Sequence, residues 1–236
     1  MKDIERTLFV ISARTESERV PEKMIKPFAN SGTCLFEIGL KKLVKSALIP
    51  EDNVMVSIRD NRLLDISDKY DDVKVWFRSK NSCKEPLTIA EMFEWAPDML
   101  KRFDYFVNFN ACNPIISIET IEKFTKHFIE SEYYGLLATV TRRNFYWNES
   151  MDMINDYNPP KDIGPILETK FAGNTHEIAN VLYAGSIRDL CNGIYLGKFK
   201  EKNDPEFFEI DPAEYCDIDE QYQFDLAEHM YEALGK

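Results

Sequence analysis

Residues 7–28 read TLFVISARTESERVPEKMIKPF, an apolar run that stops abruptly at a charged loop. The run Thr7–Ala13 is short and nearly continuous in apolar character, as in a strand covered on both faces. Four further segments share that character: Asn53–Ile58, Val73–Phe77, Tyr105–Asn110 and Gly135–Val140. Between them lie stretches with helical spacing. Leu35, Leu40, Leu43 and Ala47 share one face, as do Ile118, Ile121, Phe124 and Phe128. Strands alternating with helices predict an α/β protein with a mostly parallel, doubly wound sheet.

At 236 residues, 44% of them hydrophobic and 30% charged, the chain can bury the full core of one domain. Lys and Arg number 29 against 41 Asp and Glu, a net charge of −12. That balance argues against nucleic-acid and membrane partners, whose phosphates it repels. The apolar core near the N-terminus is too short for a signal peptide, and no run approaches a membrane span. Five scattered cysteines with no CxxC pair fit neither a disulfide framework nor a zinc site, so a cytoplasmic location is expected.

After Arg142 the alternation breaks. Residues 144–174 carry Pro159, Pro160, Pro165 and many polar side chains, and are expected to form an insertion or small subdomain. Its large apolar groups, Phe145, Tyr146, Trp147, Met151, Met153 and Tyr157, suggest a dimerisation arm. Core-like segments resume at Ile178–Ile187 and Phe207–Ile210, and a final helix is expected over Gln221–Leu234.

Ligands of an open parallel sheet bind beyond the carboxyl ends of its strands, which selects three loops. In the first, Arg14, Arg19 and Lys23 can turn inward on a triphosphate, unless the loop is simply a solvated charged turn. In the second, Asn108–Pro114, side-chain amides can read a base or sugar edge, or merely make a polar turn before Pro114. In the third, Asp217 and Asp219 can share a hard cation, or Asp219 can cap the last helix. His127 and His229 read as surface residues, and His176 alone is placed near a ligand. No Walker A loop, GxSxG or GxGxxG occurs.

In order along the chain, these loops resemble the acylneuraminate and Kdo cytidylyltransferases, the CMP-sugar synthetases. VISARTESERVPEKMIKPF is similar to the family's strand followed by A-R-x-x-S-x-R-x-P-x-K-N. EYCDIDEQYQFDLAE is similar to its closing D-I-D-T-x-x-D-x-x-x-A-E. The resemblance implies a three-layer α/β/α domain of the nucleotide-diphospho-sugar transferase type, working as a homodimer through an insertion. It implies CTP as substrate and Mg²⁺ or Mn²⁺ as cofactor, with pyrophosphate released as CMP passes to a small anionic acceptor (a sugar acid, phosphate or phosphonate). Arg14, Arg19 and Lys23 would hold the triphosphate, and Asp217 with Asp219 the metal. The nucleotide would also meet Ala13, Ser17, Arg78, Thr88, Asn110, Ala111 and Cys112. His176 and Arg188 would anchor the acceptor, with Arg142 and Arg143 as further candidate anchors.

The resemblance is to an atypical member of that group. The family's Q-P-T-S-P-L-R is here Asn110–Ile116, with Asn110 for the Gln and Ile116 for the Arg, and Met24 stands where the family has Asn. Two other readings use the same residues. One is a metal-dependent glycosyltransferase of related fold; the other is a non-catalytic nucleotide-binding relative.

Overall fold

The computed structural model describes residues 1–84, 90–162, 164 and 166–235. Seven strands form the central sheet: β1 (Thr7–Ser12), β4 (Val54–Ile58), β5 (Lys74–Phe77), β6 (Tyr105–Phe109), β7 (Leu136–Arg143), β8 (Asn174–Ser186) and β9 (Glu206–Glu209). A separate two-stranded ribbon pairs β2 (Pro27–Phe28) with β3 (Thr33–Cys34). The sheet order is β5-β4-β1-β6-β8-β7-β9, parallel except for β8, which runs against both its neighbours. All five strands expected from the apolar runs form, with ends shifted by a few residues at most.

The continuous apolar runs follow from burial on both faces. Phe9 and Ile11 point to one side of β1, where they pack with α1 (Leu35–Val44), α2 (Asn61–Ser67), α4 (Ile118–Glu130) and α6 (Gln221–Ala233). Leu8 and Val10 point to the other, against α3 (Ala90–Met99) and α5 (Ile187–Cys191), where Trp95 and Phe106 are fully buried. The result is three layers, and truncating a ring such as Phe106 to Ala is expected to cost about 3–5 kcal/mol. Helix α4 begins where the Ser117 hydroxyl accepts the Thr120 N–H, and its stripe of Ile121, Phe124 and Phe128 is buried. The stripes are shorter than the spacing suggested. Ala47 lies beyond α1, Ile118 is only half-buried, and Leu234 is 54% exposed past the end of α6.

Between β7 and β8, the described residues of the segment 144–173 make two isolated bridges, Trp147 to Met153 and Tyr157 to Ala172. Phe145 packs its ring on Trp147 and Tyr157, while Trp147, Met151, Ile154 and Leu167 stay substantially exposed. Among the described residues, no helix is long and apolar enough to cross a membrane.

From β1 the chain moves outward through β4 and β5, then crosses back to place β6 on the other side of β1. The loops after β1 and β6 therefore diverge, opening a crevice at the switch point of the sheet.

Candidate active site

A cleft of about 600 Å³ occupies that crevice, and the charged loop after β1 supplies much of its wall. Ala13, Arg14, Ser17, Arg19, Lys23, Arg78, Asn110, Cys112 and Asp219 line it, and Asp217 does not. Thr88 lies outside the described residues.

The loop is folded against the segment before α6. Lys23 is only 13% exposed; its Nζ donates to the Ile218 carbonyl at 2.5 Å and lies 3.5 Å from Asp219. Arg19 pairs with the same Asp219 carboxylate at 2.9 Å and reaches Glu220 at 3.6 Å. Arg14 turns the other way, donating to the Cys83 carbonyl at 3.0 Å. Glu220 caps α6, its side chain and that of Gln223 making a reciprocal capping box. Asp219 is thus free of the capping role, and its carboxylate faces cations across the cleft.

Asp217 is half-buried beside Asn180. Burial, and then the charge of Asp219, push its carboxyl up to about 6, against the pull of Asn180, Lys23 and Arg19. Among the described residues, no set of three or more His, Cys, Asp or Glu converges as a metal centre. Two carboxylates are nevertheless what Mg²⁺ uses when phosphate oxygens and water complete its shell. The half-buried Asp217, one residue removed from Asp219, offers such a pair.

Several expectations need correction. Asn110 lines the cleft, but its amide is committed to the turn: Nδ2 donates to the Asn180 carbonyl at 2.8 Å and Oδ1 accepts the Cys112 N–H at 3.0 Å. It is not poised to read a base. Ala111 is 1% exposed and packs toward α1, where a Cβ added at Gly39 would come within 2.8 Å of the Ala111 Cβ. It belongs to the core. His176 is exposed on the outer part of β8, beside Thr141 and the Phe207 ring, and does not line the cleft. Arg188 lines a different hollow with Asp104 and Tyr105, at the start of β6 and hence the opposite end of the sheet. Arg142 and Arg143 engage Glu177 and Asn174 across the β7–β8 ladder.

The sequence reading missed the floor of the cleft. Glu91, 1% exposed at the start of α3, accepts the hydroxyls of Ser12 and Ser57, the last polar groups of two apolar runs. Burial raises its carboxyl, and the charge of Arg78 opposes that shift. Arg78 donates to the Ser82 carbonyl and is itself 3% exposed. Asn108, Tyr183 and Tyr195 complete the floor. The signals were a Glu on the apolar face of α3 and an Asn inside the run Tyr105–Phe109.

A family model described as cytidylyltransferase matches residues 8–161, from the first strand into the arm. The chain belongs to the cytidylyltransferase family. Solved cytidylyltransferases share its fold. 4-Diphosphocytidyl-2C-methyl-D-erythritol synthase from Anaerococcus prevotii superposes with a TM-score of 0.67 at 14% identity, covering 97% of each chain. CMP:2-keto-3-deoxy-manno-octonic acid synthetase complexed with CTP gives 0.66 at 14% identity, over 97% of this chain and 99% of the other. A cytidylyltransferase from Leptospira borgpetersenii gives 0.61 at 17% identity, over 97% and 87%. No curated protein matches the sequence. The chain is thus a cytidylyltransferase of the three-layer α/β type.

Proposed function

We propose that this cytidylyltransferase transfers CMP from CTP to an oxygen of a small acceptor, with Mg²⁺ or Mn²⁺ held at Asp217 and Asp219. The observation that carries the reading is the meeting of Arg19 and Lys23 with Asp219 at the switch-point cleft. Arg14, Arg19 and Lys23 bind the triphosphate, Lys23 as a compact charge on a nearly buried stem and the arginines as forks. The nucleoside takes the side of the cleft where Arg14 reaches the Cys83 carbonyl, next to Arg78 and Ser17. Ala13 and Cys112 form neighbouring wall.

A divalent ion at the two aspartates neutralises charge on the triphosphate when bound. The chain's own residues do the positioning. The acceptor oxygen bonds to the α-phosphorus, the α-phosphorus bond to the bridging oxygen of the β-phosphate breaks, and pyrophosphate leaves along the cationic loop. The acceptor carries an anionic reacting end (a sugar acid, phosphate or phosphonate), and the protein works in the cytoplasm as a homodimer.

Lys23→Met keeps the buried stem and removes the charge. It is expected to lower pyrophosphate release from CTP by roughly 10²- to 10³-fold, the loss typical of one preorganised donor, with little change in melting temperature. EDTA should abolish wild-type activity, and Mg²⁺ or Mn²⁺ restore it. Near wild-type turnover in Lys23→Met would overturn the triphosphate role of this loop.

A further inference from the structure

Two sulfur atoms meet in the wall of the cleft. Met24 follows Lys23 at the end of the charged loop, and its carbonyl accepts the Phe36 N–H at 3.1 Å. Cys112 sits in the turn after β6, where its N–H donates to Asn110 Oδ1 at 3.0 Å and its carbonyl accepts the Ile218 N–H at 3.1 Å. Both backbones are therefore pinned, and the Cys112 Sγ stands 4.0 Å from the Met24 Sδ. Met24 is 4% exposed and Cys112 half-buried, yet both line the cleft. The pair is particular to this chain. Met24 stands where the resembled family has Asn, and Cys112 falls on the Thr of Q-P-T-S-P-L-R.

CMP transfer, as described, makes no chemical use of either sulfur. A thiolate and a thioether are soft ligands, which select ions such as Cu(I) over Mg²⁺. With bonds of about 2.3 Å to sulfurs 4.0 Å apart, an ion between them would subtend an angle of about 120°. The angle opens toward linear if the flexible Met24 side chain gives by about half an ångström. Zinc asks for four ligands, and among the described residues no set of three or more His, Cys, Asp or Glu converges. Charge also chooses. The Lys23 ammonium reaches the Cys112 thiol. A thiolate carrying a monovalent ion is neutral beside it, whereas a dication would leave net positive charge against Lys23.

We infer that Met24 and Cys112 form a site for a monovalent soft metal ion, Cu(I) or Ag(I), set in the wall of the nucleotide cleft. On binding, the thiol gives its proton to water and its sulfur bonds the ion, while the thioether donates a lone pair. No electron changes hands. The ion lodges between the charged loop and the turn after β6, and it displaces the Lys23 ammonium from the sulfur. Its effect on the nucleotide rests on the proposed CMP transfer: with Lys23 moved, the triphosphate is held less well, so the ion acts as a brake on CTP binding.

The probe is Ag(I), stable in air where Cu(I) is not. It is titrated as the nitrate, in buffer free of thiols and chloride, into protein labelled with carbon-13 at its methionine methyls. All samples carry Cys191→Ser, which removes the exposed thiol from competition. One equivalent is expected to move the methyl signal that Met24→Leu deletes, and that shift should vanish in Cys112→Ser. The remaining methyl signals report that each variant is folded. Silver affinity should fall about 100-fold or more in Met24→Leu, since even residues behind a metal ligand contribute roughly 10- to 100-fold. Calorimetry then reads CTP binding with Mg²⁺. One equivalent of silver should raise the Kd about ten-fold in the Cys191→Ser protein and leave it unchanged in Met24→Leu, where similar volume preserves the packing. The site is overturned if the Met24 methyl stays in place while silver binds, or if its shift survives in Cys112→Ser. A moved methyl with an unchanged CTP isotherm would overturn the brake alone. Failure of the silver-free protein to bind CTP would overturn the proposed CMP transfer and leave the metal site standing.

Discussion

Asp217 shows how a site residue works against the stability of its own fold. Its carboxyl is held near 6 rather than 3.8, so the folded chain binds that proton more tightly than the unfolded chain does. The sign follows directly. The favourable contribution is complete below about pH 4 and is lost as pH rises through about 6, leaving a half-buried charge only partly compensated by Asn180, Lys23 and Arg19 at pH 7. Asp217→Asn should therefore stabilise the ligand-free protein at pH 7 by about 1–2 kcal/mol, after discounting the full shift for solvent screening. The advantage should shrink to nothing near pH 4, and the same variant should lose metal-dependent turnover. Thermal melts of both proteins between pH 4 and pH 8 check this, and a melting difference that does not grow with pH would count against it.

Among the elements, α1 and the loop after β6 fit closely. Gly39 leaves no room for a methyl group, because the Ala111 Cβ and the Phe109 ring stand 2.8 and 3.2 Å from where it would go. Gly39→Ala is expected to destabilise by roughly 1–3 kcal/mol through overpacking. It should also raise the KM for CTP, since the turn it displaces carries Cys112 into the cleft; denaturant melts and kinetics report the two effects separately. The strands were legible because β1 and β4 are apolar on both faces, and the helices because Phe124 and Phe128 repeat on one face. The charged loop after β1 was legible as a spacing of Arg14, Arg19 and Lys23. The floor was not, because Glu91 and Asn108 gain their meaning only from groups distant in sequence, such as Ser57 and Tyr195. Arg188 and His176 misled for the same reason. A basic residue within β8 or α5 carries no mark of which end of the sheet it will occupy.

At the level of the molecule, the arm keeps Trp147, Met151, Ile154 and Leu167 substantially exposed, more apolar surface than an isolated loop tolerates well. Sedimentation is expected to show a two-fold dimer at micromolar concentration, and Trp147→Glu should shift it toward monomer. A wild-type chain that sediments only as monomer would contradict this. The pairing of Arg19 and Lys23 with Asp219 has a wider consequence. Without ligand, the groups proposed to bind the anion and the cation satisfy one another, so each substrate component arriving alone would have to break an existing pair. Either one, once bound, releases the partner groups that the other needs. Metal and nucleotide affinities should therefore reinforce each other by the same factor in both directions, as thermodynamic linkage requires. On the proposed reading, the chain should act as a coincidence detector, binding the magnesium–nucleotide complex better than either component by itself.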